Sequence, residues 1–177
     1  LETDILGLIG FEELEHFELH LDYKSRSLLL FGLDKVGEKI AETRMNSPRK
    51  VLKFELQKHI PVFNCKVGKR SLQLGLDTGA ESNLLNLVHW EEIHEMLTDT
   101  VMEDLSGADK SSQKVQKGVL PELFVDGVLF EDQVTVFSDI SHLNSGYELA
   151  LDGLIGYPFL STQRTAINFR TQELKLW

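Results

Sequence analysis

Leu74-Gly75-Leu76-Asp77-Thr78-Gly79-Ala80 carries an apolar run straight into a carboxylate, a hydroxyl and a glycine. The preceding Leu72-Gln73-Leu74-Gly75-Leu76 reads as a strand, so Asp77 is delivered to the end of a sheet at the edge of a core. Thr78 adds a hydroxyl able to hydrogen-bond nearby backbone. Gly79 lets the main chain approach closely and aim N–H groups at the carboxylate. Turns of the Asp-Gly type end many strands, so the surroundings decide what this one does.

Working outward, residues 51–56 alternate apolar and polar, which predicts a strand with one buried face. Residues 61–66 predict another, joined to the Asp77 strand through a hairpin turn at Val67-Gly68-Lys69-Arg70. Beyond the loop, Leu87, Trp90, Ile93 and Leu97 fall at helical spacing, so a helix is expected over 86–97. Residues 119–137 predict two or three short strands with a turn at Asp126-Gly127. Leu151-Asp152-Gly153-Leu154-Ile155-Gly156-Tyr157-Pro158-Phe159-Leu160 follows, and residues 151–177 read as strand, turn, strand and strand.

The chain also resembles itself. At an offset of 146 positions, residues 1–31 lie over 147–177 without a gap. Eight of 31 positions are identical, against about two expected from ordinary composition. Gly7-Leu8-Ile9-Gly10 matches Gly153-Leu154-Ile155-Gly156, and Leu28 and Leu30 match Leu174 and Leu176. The expectation is a duplicated module: residues 51–177 form a complete copy, residues 1–31 form the last strands of a truncated one, and residues 32–50 form a linker. Within the linker, residues 35–44 could make a short polar helix ended by Asn46-Ser47-Pro48.

Composition narrows the function. The 177 residues are 42% hydrophobic and 26% charged, which is globular. Eighteen basic and 28 acidic residues give a net charge of −10, against a nucleic-acid binder or an anionic membrane surface as partner. No apolar run approaches a membrane span, and the start, Leu1-Glu2-Thr3-Asp4, is not a signal peptide. Cys65, the one cysteine, allows neither an internal disulfide nor a cysteine-based zinc site. His89 and His94 are five apart and do not share a helix face. No His-Glu-x-x-His, Gly-x-Ser-x-Gly or phosphate-cradling loop occurs. The acidic stretch 91–109 lacks the spacing of a calcium loop, and no metal site is expected.

The Asp-Thr-Gly-Ala loop after an apolar strand, Leu154-Ile155-Gly156 about 75 residues later, and the closing strands 165–169 and 173–177 together resemble the retropepsin-like aspartic peptidase family. The likeness covers 51–177, and the bacterial two-lobed members are the most similar. It implies a mostly β closed barrel with one short helix, plus terminal strands of a second lobe. It implies an aspartic endopeptidase that needs no cofactor beyond water and acts on peptide or protein substrates. Asp77 would be one half of a catalytic pair, Thr78 the hydroxyl bracing paired loops, and Gly79 the backbone beside the carboxylates. Ala80 and a flap over 103–118, with Gly107 at its bend, would hold substrate. Exported relatives imply an exported or periplasmic setting.

The chain departs from this pattern in holding one Asp-Thr-Gly. Asp126-Gly127 reads as a turn and Asp152-Gly153 lies in the two-glycine segment. A second aspartate would come from a homodimer mate or a missing N-terminal lobe. Two rivals follow: a non-catalytic module holding an extended peptide by strand addition, and a fragment inactive without its precursor, whose first 31 residues pack through a sheet built for an absent partner.

Overall fold

The computed structural model describes residues 9–41, 46–106 and 112–177. In chain order the elements are α1 (Phe11–Leu14), β1 (Phe17–Asp22), β2 (Ser27–Gly32), β3 (Lys50–Lys53), β4 (Glu55–Gln57), β5 (Ile60–Val67), β6 (Arg70–Leu76), β7 (Asn83–Asn86), α2 (Trp90–Ile93), β8 (Thr98–Ser106), β9 (Ser112–Val125), β10 (Val128–Ser138), α3 (Ser141–Tyr147), β11 (Gly153–Ile155), α4 (Tyr157–Leu160), β12 (Thr165–Asn168) and β13 (Glu173–Leu176). The protein is mostly β, as expected. No helix among the described residues is long and apolar enough to cross a membrane. The chain divides into two compact units, Phe54–Thr162 and the pair of segments Leu1–Lys53 and Gln163–Trp177.

The unit Phe54–Thr162 is a closed barrel. Its strands run β5-β6-β11-β7-β10-β9, and β9 returns to β5 through Cys65↔Val125 and Lys66↔Phe124. Closure leaves these six strands without a free edge. The interior holds Phe63, Leu72, Leu74, Leu85, Leu123, Phe137, Ile155 and Phe159, all buried. Phe159 of α4 packs against Phe63 and Phe130, with ring centroids 6.3 and 4.6 Å away. Cys65 is a core residue here, and burial, the largest cause, pushes its thiol up to about 12. The unit is thus the mostly β closed barrel that was expected.

Local chemistry sets the turns. The β9–β10 hairpin reverses at Asp126 and Gly127, both at positive φ (47° and 77°), which is the twist a two-residue hairpin needs. Other expectations change in detail. Residues 51–56 are two strands, β3 and β4, interrupted at Phe54. The helix expected over 86–97 is broken into a 3-10 turn Leu87–His89, α2, and a 3-10 turn His94–Met96. Only Ile93 of these is buried, too little apolar burial to organise a longer helix. Helix α3 has no apolar periodicity to announce it, and its first turn is held by Asp139, whose Oδ1 accepts from Ser141 N at 2.8 Å.

In the other unit the sheet runs β2-β1-β12-β13-β3, antiparallel throughout. Its centre buries a charged cluster. The Glu18 carboxylate accepts from His20 Nε2 (2.7 Å), Lys175 Nζ (2.6 Å), Lys39 Nζ (3.0 Å) and Asn168 Nδ2 (3.3 Å). Burial pushes the Glu18 carboxyl up, but the hydrogen bonds from His20, Lys175 and Lys39 outweigh it and hold the group far below the usual carboxylate range. The short helix expected over 35–44 is absent from the described residues 35–41. There Asp34 Oδ1 accepts from Val36 N and Glu38 N, both at 2.9 Å, so a side chain takes the donors a helix would have used. Residues 42–44 lie outside the described residues.

Candidate active site

Asp77 leaves the end of β6 and its position is fixed from β11. Strand β11 lies parallel to β6, with Gly153↔Leu74, Leu154↔Gly75 and Ile155↔Leu76 in register. Asp77 N then donates to Ile155 O at 3.0 Å, and Tyr157 N donates to Ala80 O at 2.8 Å. The loop 77–80 is therefore pinned at both ends to one segment. The two glycines of that segment are there for space. A Cβ on Gly153 would lie 2.1 Å from Leu84 O, and one on Gly156 would lie 2.5 Å from Ala80 O. Either contact would force the backbone apart.

Within the loop, Gly79 N donates to Asp77 Oδ1 at 2.8 Å and Ala80 N to Asp77 O at 3.3 Å. The carboxylate is thus oriented by backbone, and Asp77 remains partly exposed. Thr78 and Gly79 are exposed. Among the described residues no side chain takes up the Thr78 hydroxyl. Asp77, Gly79 and Ala80 form one wall of a cleft of about 860 Å³. Val115 and Lys117 of β9, Gln133 and Val134 of β10, and Tyr157 and Pro158 of α4 form the others. Glu81, Glu131 and Asp132 also reach the cleft, and Lys117 is the cation among its lining residues.

The structure accounts for residues that sequence reading passed over. Asn83 is buried at the start of β7. Its Oδ1 accepts from Gly156 N at 2.9 Å, while its Nδ2 donates to Gln133 Oε1 at 3.2 Å. Gln133 in turn donates to Glu131 O at 2.9 Å. This buried chain ties the glycine segment to the opposite wall of the cleft. Its one sequence signal is a polar residue at the head of an apolar strand. His89 Nε2 lies 2.9 Å from Asp152 Oδ1, and Asp152 Oδ2 accepts from Gln73 N at 2.8 Å. Asp152 is thereby committed to bracing β6 and the segment after β7. Asp126 sits at a hairpin tip, where its N–H donates to Asn64 O at 2.9 Å. Asp77 thus lies in the cleft, whereas Asp126 and Asp152 serve the scaffold.

Over residues 103–106 and 112–118 of the expected flap the backbone is the antiparallel pair β8 and β9, with Glu103↔Val115 and Ser106↔Ser112 in register. Gly107 lies outside the described residues. Among the described residues no group of three or more His, Cys, Asp or Glu side chains comes together to hold a metal.

No family model matches the chain, and no curated protein matches it. Among solved structures it is similar to the EIAV protease complexed with the inhibitor HBY-793, at 13% sequence identity and a TM-score of 0.44, over 60% of this chain and 89% of that one.

Proposed function

We propose that the chain is a lobe of an aspartic endopeptidase in which Asp77 is one of two carboxylates that activate water against a peptide bond. The observation that carries this is Asp77 itself: a carboxylate at a strand end, held by Gly79 N–H at 2.8 Å and open to a cleft of about 860 Å³. Two such groups brought within a few ångströms cannot both ionise, so they share one proton. The ionised member draws a proton from water, and the protonated member donates to the peptide carbonyl as the tetrahedral intermediate forms. Thr78, exposed beside Asp77, would brace the loop that brings the second aspartate. Ala80 and, as the resemblance implies, a flap over 103–118 with Gly107 at its bend would hold the extended substrate.

The second aspartate comes from a second lobe, supplied by a homodimer mate or by a lobe outside residues 1–177. The hairpins β1–β2 and β12–β13 support a duplicated module. Leu19↔Leu30 and Asp22↔Ser27 in the first hairpin become Thr165↔Leu176 and Asn168↔Glu173 in the second at the 146-residue offset. Helices α1 and α4 coincide under the same offset.

The test is cleavage of an unfolded-peptide pool from about pH 3 to about pH 8, comparing the protein with Asp77→Asn. Cleavage reduced roughly 10³-fold or more by the substitution supports the reading. Cleavage that survives Asp77→Asn refutes it. Binding of extended peptides without cleavage by either protein would instead make this a peptide-holding module.

A further inference from the structure

Ile155, Gly156 and Tyr157 are consecutive, and their backbones serve two partners. Ile155 O accepts from Asp77 N at 3.0 Å, and Tyr157 N donates to Ala80 O at 2.8 Å. The two flanking residues thus grip the first and last residues of the Asp77 loop. Between them, Gly156 N–H goes instead to Asn83 Oδ1 at 2.9 Å. Gly156 has to be glycine, because a Cβ there would lie 2.5 Å from Ala80 O. Glycine is also the residue least able to hold its own backbone angles. The pivot of the segment that pins Asp77 is therefore held from outside, by one buried side chain.

The direction of the remaining bonds follows from that one. Gly156 N–H can only donate, so the Asn83 oxygen faces it and the Asn83 nitrogen faces the other way. There Nδ2 donates to Gln133 Oε1 at 3.2 Å, which leaves Gln133 Nε2 for Glu131 O at 2.9 Å. Asn83 and Gln133 are 2% and 1% exposed, and a buried polar group left unpaired is costly. The backbone beneath Gln133 is fixed as well, since its carbonyl accepts from Thr135 Oγ1 at 3.0 Å, and Thr135 stands opposite Asn83 in the pairing of β10 with β7. The chain of bonds runs in one sense from Gly156 N–H to Glu131 O, on the far wall of the cleft.

We propose that Asn83 is a positioning residue for Asp77, itself oriented by Gln133. Asn83 does not line the cleft. It fixes Gly156, and Ile155 and Tyr157 carry that restraint to Asp77 and Ala80. Its loss lets the Asp77 carboxylate drift from its working place while the cleft walls that hold substrate stay as they are. The inference deepens the reading of Asp77 as a catalytic carboxylate and rests on it.

The experiment compares the full chain with Asn83→Leu, Gln133→Leu and the double variant, by kinetics on one peptide that the parent cuts and by amide hydrogen exchange. Asn83→Leu lowers kcat roughly 10²-fold and leaves KM within about threefold. Its Asp77 and Tyr157 amides exchange about tenfold or more faster, relative to the amides of β5 and β9. Gln133→Leu keeps the Gly156–Asn83 bond but frees the Asn83 amide to turn, so kcat falls about tenfold; this variant decides the matter if Asn83→Leu does not fold. The double variant is more stable than Asn83→Leu, because the Gln133 oxygen is no longer buried without a donor, yet it regains no kcat. Unchanged kcat, a loss carried by KM alone, or kcat that recovers together with stability overturns the proposal. The two readings fail separately. A parent that cuts no peptide removes the peptidase; exchange that quickens at Asp77 and Tyr157 alone then keeps the positioning role, and a uniform change across the barrel removes it.

Discussion

The first hairpin, β1 with β2, and the second, β12 with β13, have the same backbone and different fates. Both turns place a non-glycine residue at φ 54°, Arg26 in one and Gln172 in the other, 146 positions apart. Both are preceded by a one-turn helix at matching positions. Their side chains diverge where the surroundings diverge. The position that holds Glu18 in the first hairpin holds Arg164 in the second. Glu18 gathers two lysines and a histidine, whereas Arg164 lies over the Trp177 ring at 4.9 Å. Leu28 is exposed where Leu174 is sealed. The two hairpins thus share local geometry at matching positions, while the neighbours decide what each position is worth.

The largest way to break this comparison is at Glu18. Glu18→Gln leaves Lys39 and Lys175 facing a neutral amide and should cost about 3–5 kcal/mol in urea unfolding at neutral pH. The pH dependence has a definite sign. Because the folded carboxyl is held far below its ordinary value of 4.5, its contribution is complete above that value and is lost as the pH falls toward the folded one. The parent should lose stability below about pH 5 more steeply than Glu18→Gln. Parallel acid profiles would show that the cluster contributes nothing.

Next come the paired leucines. Leu174→Ala should cost about 2–5 kcal/mol, and Leu28→Ala in the same chain no more than about 0.5 kcal/mol. Equal costs, read from denaturation midpoints, would mean that β2 is already covered. The glycines follow. A methyl on Gly156 meets Ala80 backbone, whereas one on Gly10, its counterpart, meets only the movable ends of Glu12 and Glu13 at 3.1 and 3.3 Å. Gly156→Ala should therefore cost about 1–3 kcal/mol and disturb the Asp77 loop, while Gly10→Ala stays within about 0.5 kcal/mol. The smallest effect is at the turns. Arg26→Gly and Gln172→Gly each relieve a left-handed residue, for a gain of up to about 1 kcal/mol. The two thermal shifts should agree closely, and a large difference would sink the equivalence of the turns.

Much of the barrel was legible in the sequence because its signals are short-range. The Asp77 strand, the turn at Gly68 and the Asp126-Gly127 reversal each announce themselves within a few residues, through period-two alternation or a residue suited to positive φ. The glycines of 153–156 were legible as a pattern, and the structure supplies their reason, a backbone approach that leaves no room for Cβ. Helix α3 and the fragmentation of 86–97 were not legible. Helix α3 has no apolar period, and the helical spacing of 86–97 reads as one continuous helix although only Ile93 of its three short pieces is buried. Asn83 and Gln133 were missed because a polar residue in an apolar strand looks like an exception until its partner, fifty positions away, is seen to be opposite it.

The sequence alone determined that the chain is mostly β, that Asp77 ends a strand, and that residues 1–31 echo 147–177. Alternation, turn chemistry and self-similarity depend on near neighbours or on simple comparison. Only the tertiary structure decided that β9 returns to β5, that Asp152 is bound to His89, that Glu18 is buried among lysines, and that, among the described residues, no strand pairs along the outer side of β2. Each of these sets residues distant in the chain side by side, and burial and ion pairing take their free energy from those distant neighbours rather than from the residue itself.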